Sequence, residues 1–375
     1  MNTLSRSLKL ACSIGKLLLV ALLILLQAPG GEVAHAASDG QPLKVGFVIV
    51  GPVSDWSWSY AHDQGRLYAE SKLSGKVTTT VAENVPESSE AERVMEKMIA
   101  QGCKLIFATS FGYLEPLLHV AERHPDVKFM QIHRFASRSN LGTYFFFVYQ
   151  PMYAAGIVAG RITKVNKIGY VTCRPVPEVL QNLNAFALGA QSVNPKVKIK
   201  VVWTNTWADA PIEAEAAKGL IETGIDVLAY DPGSAITLAK TAESHSVYVI
   251  GCNTDVHKFA PNYWLTGGLL DWGPFYLKTI QSVLDNTWKS GLVICDAASG
   301  VVKLSSFGPA VSKVVQREAL NTMAEIRNGK LVVFKGPIRD REGKTRLAAG
   351  QKPDIKWLGS MNFLVPGIEG SLPSK

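Results

Sequence analysis

From Lys44 onward, short apolar runs alternate with stretches whose apolar residues recur at helical spacing. That is the pattern of parallel strand–helix–strand units with helices covering both faces of a sheet. The first series predicts strands over 45–50, 77–82, 105–109 and 127–132, with helices over 60–72, 90–100 and 114–123. Ser89 and Glu92 have the spacing of a capping box at the start of the second of these helices. A second series predicts helices over 152–163, 179–193, 212–222 and 235–244, and strands over 168–172, 199–203, 227–230 and 247–251. Beyond Trp264 come a strand, a helix over 274–288 and further short pieces.

The two series resemble each other. KVGFVIVG answers to KIGYVTCR, GCKLIFATS to GIDVLAYDP, and PDVKFMQIH to HSVYVIGCN. The expectation is an α/β protein of two Rossmann-like lobes, an N-terminal lobe over 37–148 and a C-terminal lobe over 149–272. Parts of 273–310 would complete the first and parts of 311–375 the second, so that several crossings make a hinge. The joint is expected near the aromatic run FFFVYQP. Gly156 and Gly160, four apart, fit close packing of their helix on a sheet better than a membrane dimer motif, because the helix is short and preceded by Pro151.

The first 36 residues read differently. Arg6, Lys9 and Lys16 precede an apolar run over 17–26, followed by Ala34-His35-Ala36. This is the order of a secretory signal peptide, with cleavage expected after Ala36. Cys12 precedes the apolar run, the wrong order for a lipid anchor, so a freely diffusing periplasmic chain is expected. Removing three basic residues and Glu32 takes the net charge of +8 to about +6. The basic residues are dispersed and do not interleave with aromatic ones, which argues against nucleic acid. Cys103, Cys173, Cys252 and Cys295 remain, widely spaced and mostly in apolar contexts that suit buried thiols. Their compartment permits disulfides, and four cysteines allow three pairings among which the sequence does not choose.

Ligands of open parallel sheets bind beyond the carboxyl ends of the strands. Those positions here hold Asp55, Trp56 and Trp58; Asn84; Phe111 and Tyr113; Arg174; Trp207; Asn253 and Asp255; and Asp271 and Trp272. Rings alternating with carboxylates and amides suit a planar heterocycle gripped on its faces and hydrogen-bonded at its edge. The same residues have structural uses. Trp58 can cap a core, and Asp55, Asp209 and Asp231 each stand before a helix and suit N-caps. His133 suits a structural role. The chain carries no H-E-x-x-H, G-x-S-x-G, C-x-x-C or phosphate-loop motif. Binding without catalysis, cofactor or metal is therefore expected, with a nucleosidase or amidohydrolase as the catalytic alternative.

Over its length from Lys44, the chain resembles the basic membrane protein family (BMP, Med or PnrA type) of ABC-transporter solute-binding components. The resemblance is carried by KVGFVIVGPVSDWSWSYAHDQG, LIFATSFGY, YAAGIVAG, PVPEVLQNLNAFALGAQSVNP, VVWTNTWADAPIEAEAAKGLIETGIDV, VIGCNTD and LLDWGPFYLKTIQSVLDNTWKSG. It implies a periplasmic binding protein fold, a purine base or nucleoside as ligand, an ABC permease of the inner membrane as partner, and a monomer. It also implies contact roles for Asp55 and Trp58, a stacking role for Trp207, and ribose binding by Asp255. Nucleoside-binding members place a Lys where this chain has Leu270-Asp271, which turns the expectation toward a free base, adenine first. A sensor component that hands its signal to a receptor would share all of these residues.

Overall fold

The computed structural model describes residues 41–134 and 138–373. The expected leader, its cleavage site and Cys12 lie outside the described residues. The chain opens with β1 (Leu43–Val48), α1 (Trp58–Lys72), β2 (Val77–Ala82), α2 (Ser89–Ala100), β3 (Cys103–Ala108), α3 (Leu114–Arg123), β4 (Lys128–Ile132) and β5 (Leu141–Phe146). It then passes to α4 (Tyr149–Ile162), β6 (Lys167–Thr172), α5 (Pro177–Val193), β7 (Lys198–Trp203), α6 (Ala210–Glu222), β8 (Val227–Asp231), α7 (Ala235–Ser244), β9 (Tyr248–Asn253) and β10 (Trp264–Leu270). There follow α8 (Gly273–Leu284), β11 (Leu292–Cys295), β12 (Val302–Leu304), α9 (Lys313–Arg327), the hairpin β13 (Ile338–Arg339) and β14 (Thr345–Leu347), α10 (Ile355–Gly359) and β15 (Ile368–Glu369).

Two sheets organise these elements. One is parallel throughout, in the order β11-β5-β4-β3-β1-β2. The other runs β12-β10-β9-β8-β6-β7-β15 and is parallel except for β12, which pairs antiparallel with β10. This is the two-lobed periplasmic binding protein architecture. The chain passes between the sheets three times, from β5 to α4, from β10 to α8 and from β11 to β12. Both faces of each sheet are covered, so inner strands read as nearly unbroken apolar runs; the last four residues of β1 are fully buried.

Three local expectations need correction. The aromatic run near the joint is partly a strand. In β5 all six residues are buried, because the strand lies between β4 and β11 and takes its partner from far along the chain, Thr143 pairing with Leu292. The cap of α2 is Ser88, whose side chain accepts from the Glu90 amide; Glu92 instead pairs with Arg123 at 2.7 Å across to α3. Gly156 and Gly160 pack on a helix rather than a sheet. A Cβ on Gly156 would lie 2.1 Å from the Phe186 carbonyl oxygen, and one on Gly189 would lie 2.0 Å from that of Tyr153, so α4 and α5 meet backbone to backbone. All four described cysteines are buried free thiols. No helix among the described residues is long and apolar enough to cross a membrane.

Candidate ligand-binding site

Between the carboxyl ends of β1, β3 and β4 on one side and β6, β7 and β8 on the other lies a cavity of about 280 Å³. The first-lobe wall begins at the turn after β1. Asp55 Oδ1 accepts from the amides of Ser57 (2.7 Å) and Tyr60 (3.1 Å), and Oδ2 from Ser59 (3.1 Å), so this carboxylate caps α1 while also facing the cavity. Burial raises its pKa, and the three N–H donors oppose that rise. Helix α1 then starts at Trp58, whose indole N–H donates to the Thr109 carbonyl at 2.9 Å. That bond orients the ring on the wall, backed by edge contacts to His62 at 4.5 Å and Trp272 at 6.3 Å.

Phe111, in the turn after β3, lines the same wall with the Arg134 guanidinium 5.4 Å from its ring centre. Asn84 lines it from the left-handed region, at φ 56°. His133, at the end of β4 with φ 57°, opens partly into the cavity and is otherwise surrounded by protein. Desolvation pushes its imidazole down to about 3, so the ring is neutral at physiological pH.

The second lobe contributes Trp207, beyond β7. Its indole N–H crosses the cleft to Glu87 Oε2 at 3.0 Å, and the Arg174 guanidinium sits 5.7 Å from its ring centre. Glu87 is held by its own lobe, accepting at Oε1 from Ser110 Oγ (2.6 Å) and the Gly112 amide (2.7 Å). Glu178, in the first turn of α5, also lines the cavity. Behind it Asp231, fully buried at the end of β8, accepts from Asn182 Nδ2 at 2.6 Å. Burial pushes Asp231 up to about 6. Burial and the facing Asp231 carboxyl raise Glu178 as well.

Asp55, Trp58, Asn84, Phe111, Arg174 and Trp207 thus share one cavity. The other residues picked from the sequence sit elsewhere. Trp56 stacks on Tyr60 (4.4 Å, 15°) and takes the Lys258 ammonium of the other lobe 3.7 Å from its ring centre. Its carbonyl accepts from Thr254 Oγ1. Asn253 Nδ2 donates across the cleft to Ser57 Oγ at 3.3 Å. Both residues therefore join the lobes. Tyr113 is fully buried with its hydroxyl on the Val85 carbonyl, and Trp272 is fully buried, stacked on His62 at 4.7 Å. Trp272 supports Trp58 from behind. Asp255 accepts from the amides of His257 (3.0 Å) and Ser306 (2.8 Å), and Asp271 pairs with Lys303 at 2.7 Å, so both are occupied by local structure. Of the three candidate caps, Asp209 caps α6 through the Ile212 amide, whereas Ser234, not Asp231, stands at the N-cap of α7.

Sequence reasoning gave His133 a structural role, whereas it lines the cavity, and did not single out Glu178. The signal for Glu178 was Pro175-Val176-Pro177, which starts a helix at once after β6 and turns its first residues toward the cleft. Among the described residues no cluster of His, Cys, Asp and Glu is arranged to hold a metal ion.

A ring-lined cavity between two α/β lobes joined by three crossings is the arrangement found in solute-binding proteins. The profile of the family described as ABC transporter substrate-binding protein PnrA-like matches residues 43–341, and the chain belongs to that family. A purine-binding protein of Brucella abortus is 40% identical over 343 residues, covering 92% of this chain and 97% of that one. A Haloferax volcanii protein named for glucose binding in an ABC transporter is 34% identical, covering 90% of this chain and 83% of its own length. A solved ABC-transporter solute-binding protein of Aeropyrum pernix superimposes with a TM-score of 0.69 at 18% identity, covering 77% of this chain and 92% of that one. Members of the family bind small molecules for ABC transporters, a role that involves no catalysis and lies outside the cytoplasmic membrane.

Proposed function

We propose that this chain is the periplasmic component of an ABC importer that captures a purine, adenine first, by stacking it between Trp58 and Trp207 as the lobes close. The supporting observation is that these two rings, one from each lobe, line the same cavity. The Brucella abortus relative favours the same ligand class. Only the closed state makes both ring contacts, so the ligand shifts the population toward it and presents a closed surface to the permease. On this reading the chain is exported by its leader and acts as a monomer without cofactor. The Haloferax volcanii relative makes a sugar the rival ligand.

Calorimetric titration of ligand-stripped protein with adenine, guanine, adenosine, xanthine and glucose tests this reading. Adenine is expected to bind tightest and to be recovered unchanged. Glucose as the sole ligand sinks the purine assignment, and adenine released from adenosine sinks the assignment as a binder.

A further inference from the structure

Glu178 is the only carboxyl group among the described second-lobe residues lining the cavity, and its surroundings do not suit an anion. The fully buried Asp231 of β8 lies behind it, bonded to Asn182, which stands four residues along α5 and so on the same helix face as Glu178. Asn182 Nδ2 is committed to Asp231 at 2.6 Å. Among the described residues no Lys, Arg or His forms an ion pair with Glu178; Arg174, nearest in sequence, has its guanidinium over Trp207 instead. The remaining titratable neighbours supply no cation to it. Burial holds Cys173 and Tyr170 of the β6 strand region, and Cys252 of β9, in their protonated forms. Across the cavity His133 is neutral, and Asp55 is tied to three amides of its own lobe. A carboxyl set against a second, fully buried carboxyl and paired with no cation resists ionising.

We propose that Glu178 meets the ligand as an uncharged carboxylic acid and reads the edge of the heterocycle, its O–H donating while its C=O accepts. This deepens, and rests on, the assignment of a purine to the cavity. Such a group closes a two-bond ring with any edge carrying an acceptor beside a donor. A 6-aminopurine offers a ring nitrogen and an amine; a 6-oxopurine offers a carbonyl and a ring N–H. Both fit, since the acid merely exchanges which of its two oxygens carries the proton. A ligand that is anionic at that edge offers acceptors only and is rejected. The substrate class is therefore neutral purines of either 6-substituent.

The test is titration of wild type, Glu178→Gln, Glu178→Leu and Asp231→Asn with adenine and hypoxanthine, each variant first checked for a wild-type circular dichroism spectrum. Wild type is expected to bind both purines, more weakly at about pH 8.5 than at about pH 5.5. Leu at position 178 should weaken both about ten- to hundredfold, as for a lost buried hydrogen-bonded pair. Glu178→Gln, whose amide keeps a donor beside an acceptor at every pH, should recover much of that loss and fall less than wild type between the two pH values. Asp231→Asn should move the wild-type pH midpoint downward. Purine binding that Glu178→Leu leaves unchanged, or wild-type binding that strengthens with pH, overturns this inference alone. A wild type that binds no purine overturns the purine assignment and this inference with it.

Discussion

Truncating Trp207 tests the aromatic grip directly. Trp207→Ala removes a ring on the cavity wall and an indole N–H that reaches Glu87 in the other lobe at 3.0 Å. Stacking on a base is worth about 1 to 3 kcal/mol. The Glu87 bond adds about 1 kcal/mol net, because Glu87 keeps Ser110 and Gly112 as partners when the lobes part and returns its second oxygen to water. The total of about 2 to 4 kcal/mol corresponds to a roughly 30- to 1000-fold rise in Kd for adenine. Trp207→Phe keeps a ring and loses the bond, so about a fivefold rise is expected. Calorimetry supplies the affinities, and small-angle scattering shows whether each variant still compacts on adding adenine. Wild-type affinity in Trp207→Ala would refute the stacking argument. A Phe variant as weak as the Ala variant would assign the energy to the Glu87 bond rather than to the ring.

Two predictions concern stability. Asp231 has its folded pKa raised from 3.8 to about 6, so its contribution is fully present below the lower value and is lost as pH rises through the upper one. At about 1.4 kcal/mol per pH unit, the loss between pH 4 and 7 is about 3 kcal/mol, and urea unfolding should show Asp231→Asn less sensitive to pH than wild type in that window; equal slopes would disprove the assignment. Gly189→Ala would place a Cβ 2.0 Å from the Tyr153 carbonyl and force α4 and α5 apart. A cost of roughly 1 to 3 kcal/mol is expected despite the better helix propensity of Ala, read as a lower urea midpoint.

The alternation of apolar runs and helical periods made most of the first ten strands and the main helices legible, because each is set by local burial on a covered sheet. β5 was not. Its Tyr144, Phe145 and Phe146 look like a linker until the distant β11 supplies the second neighbour that buries them. β15 is two residues long and exists only because β7 has a free edge to pair with. In the site, Trp58 and Trp207 were legible as indoles just past strand ends. Trp272 obeyed the same rule and failed it, because α8 crosses to the first lobe and carries that ring into the core beside His62. Asp255 and Asp271 looked free in the sequence, yet Ser306 and Lys303, from the segment after the third crossing, occupy them. Glu178 looked like an ordinary acid of a helix's first turn, and only the placement of β8 behind it reveals Asp231.

The position of Trp56 has a practical consequence. Its indole lies between the Tyr60 ring of its own lobe and the Lys258 ammonium of the other, 3.7 Å from the ring centre. When the lobes swing apart the positive charge departs while the tyrosine stays, so the electric field on one intrinsic fluorophore changes with the hinge angle. The molecule thereby carries its own optical gauge of closure, readable without a dye and separable from the others by Trp56→Phe.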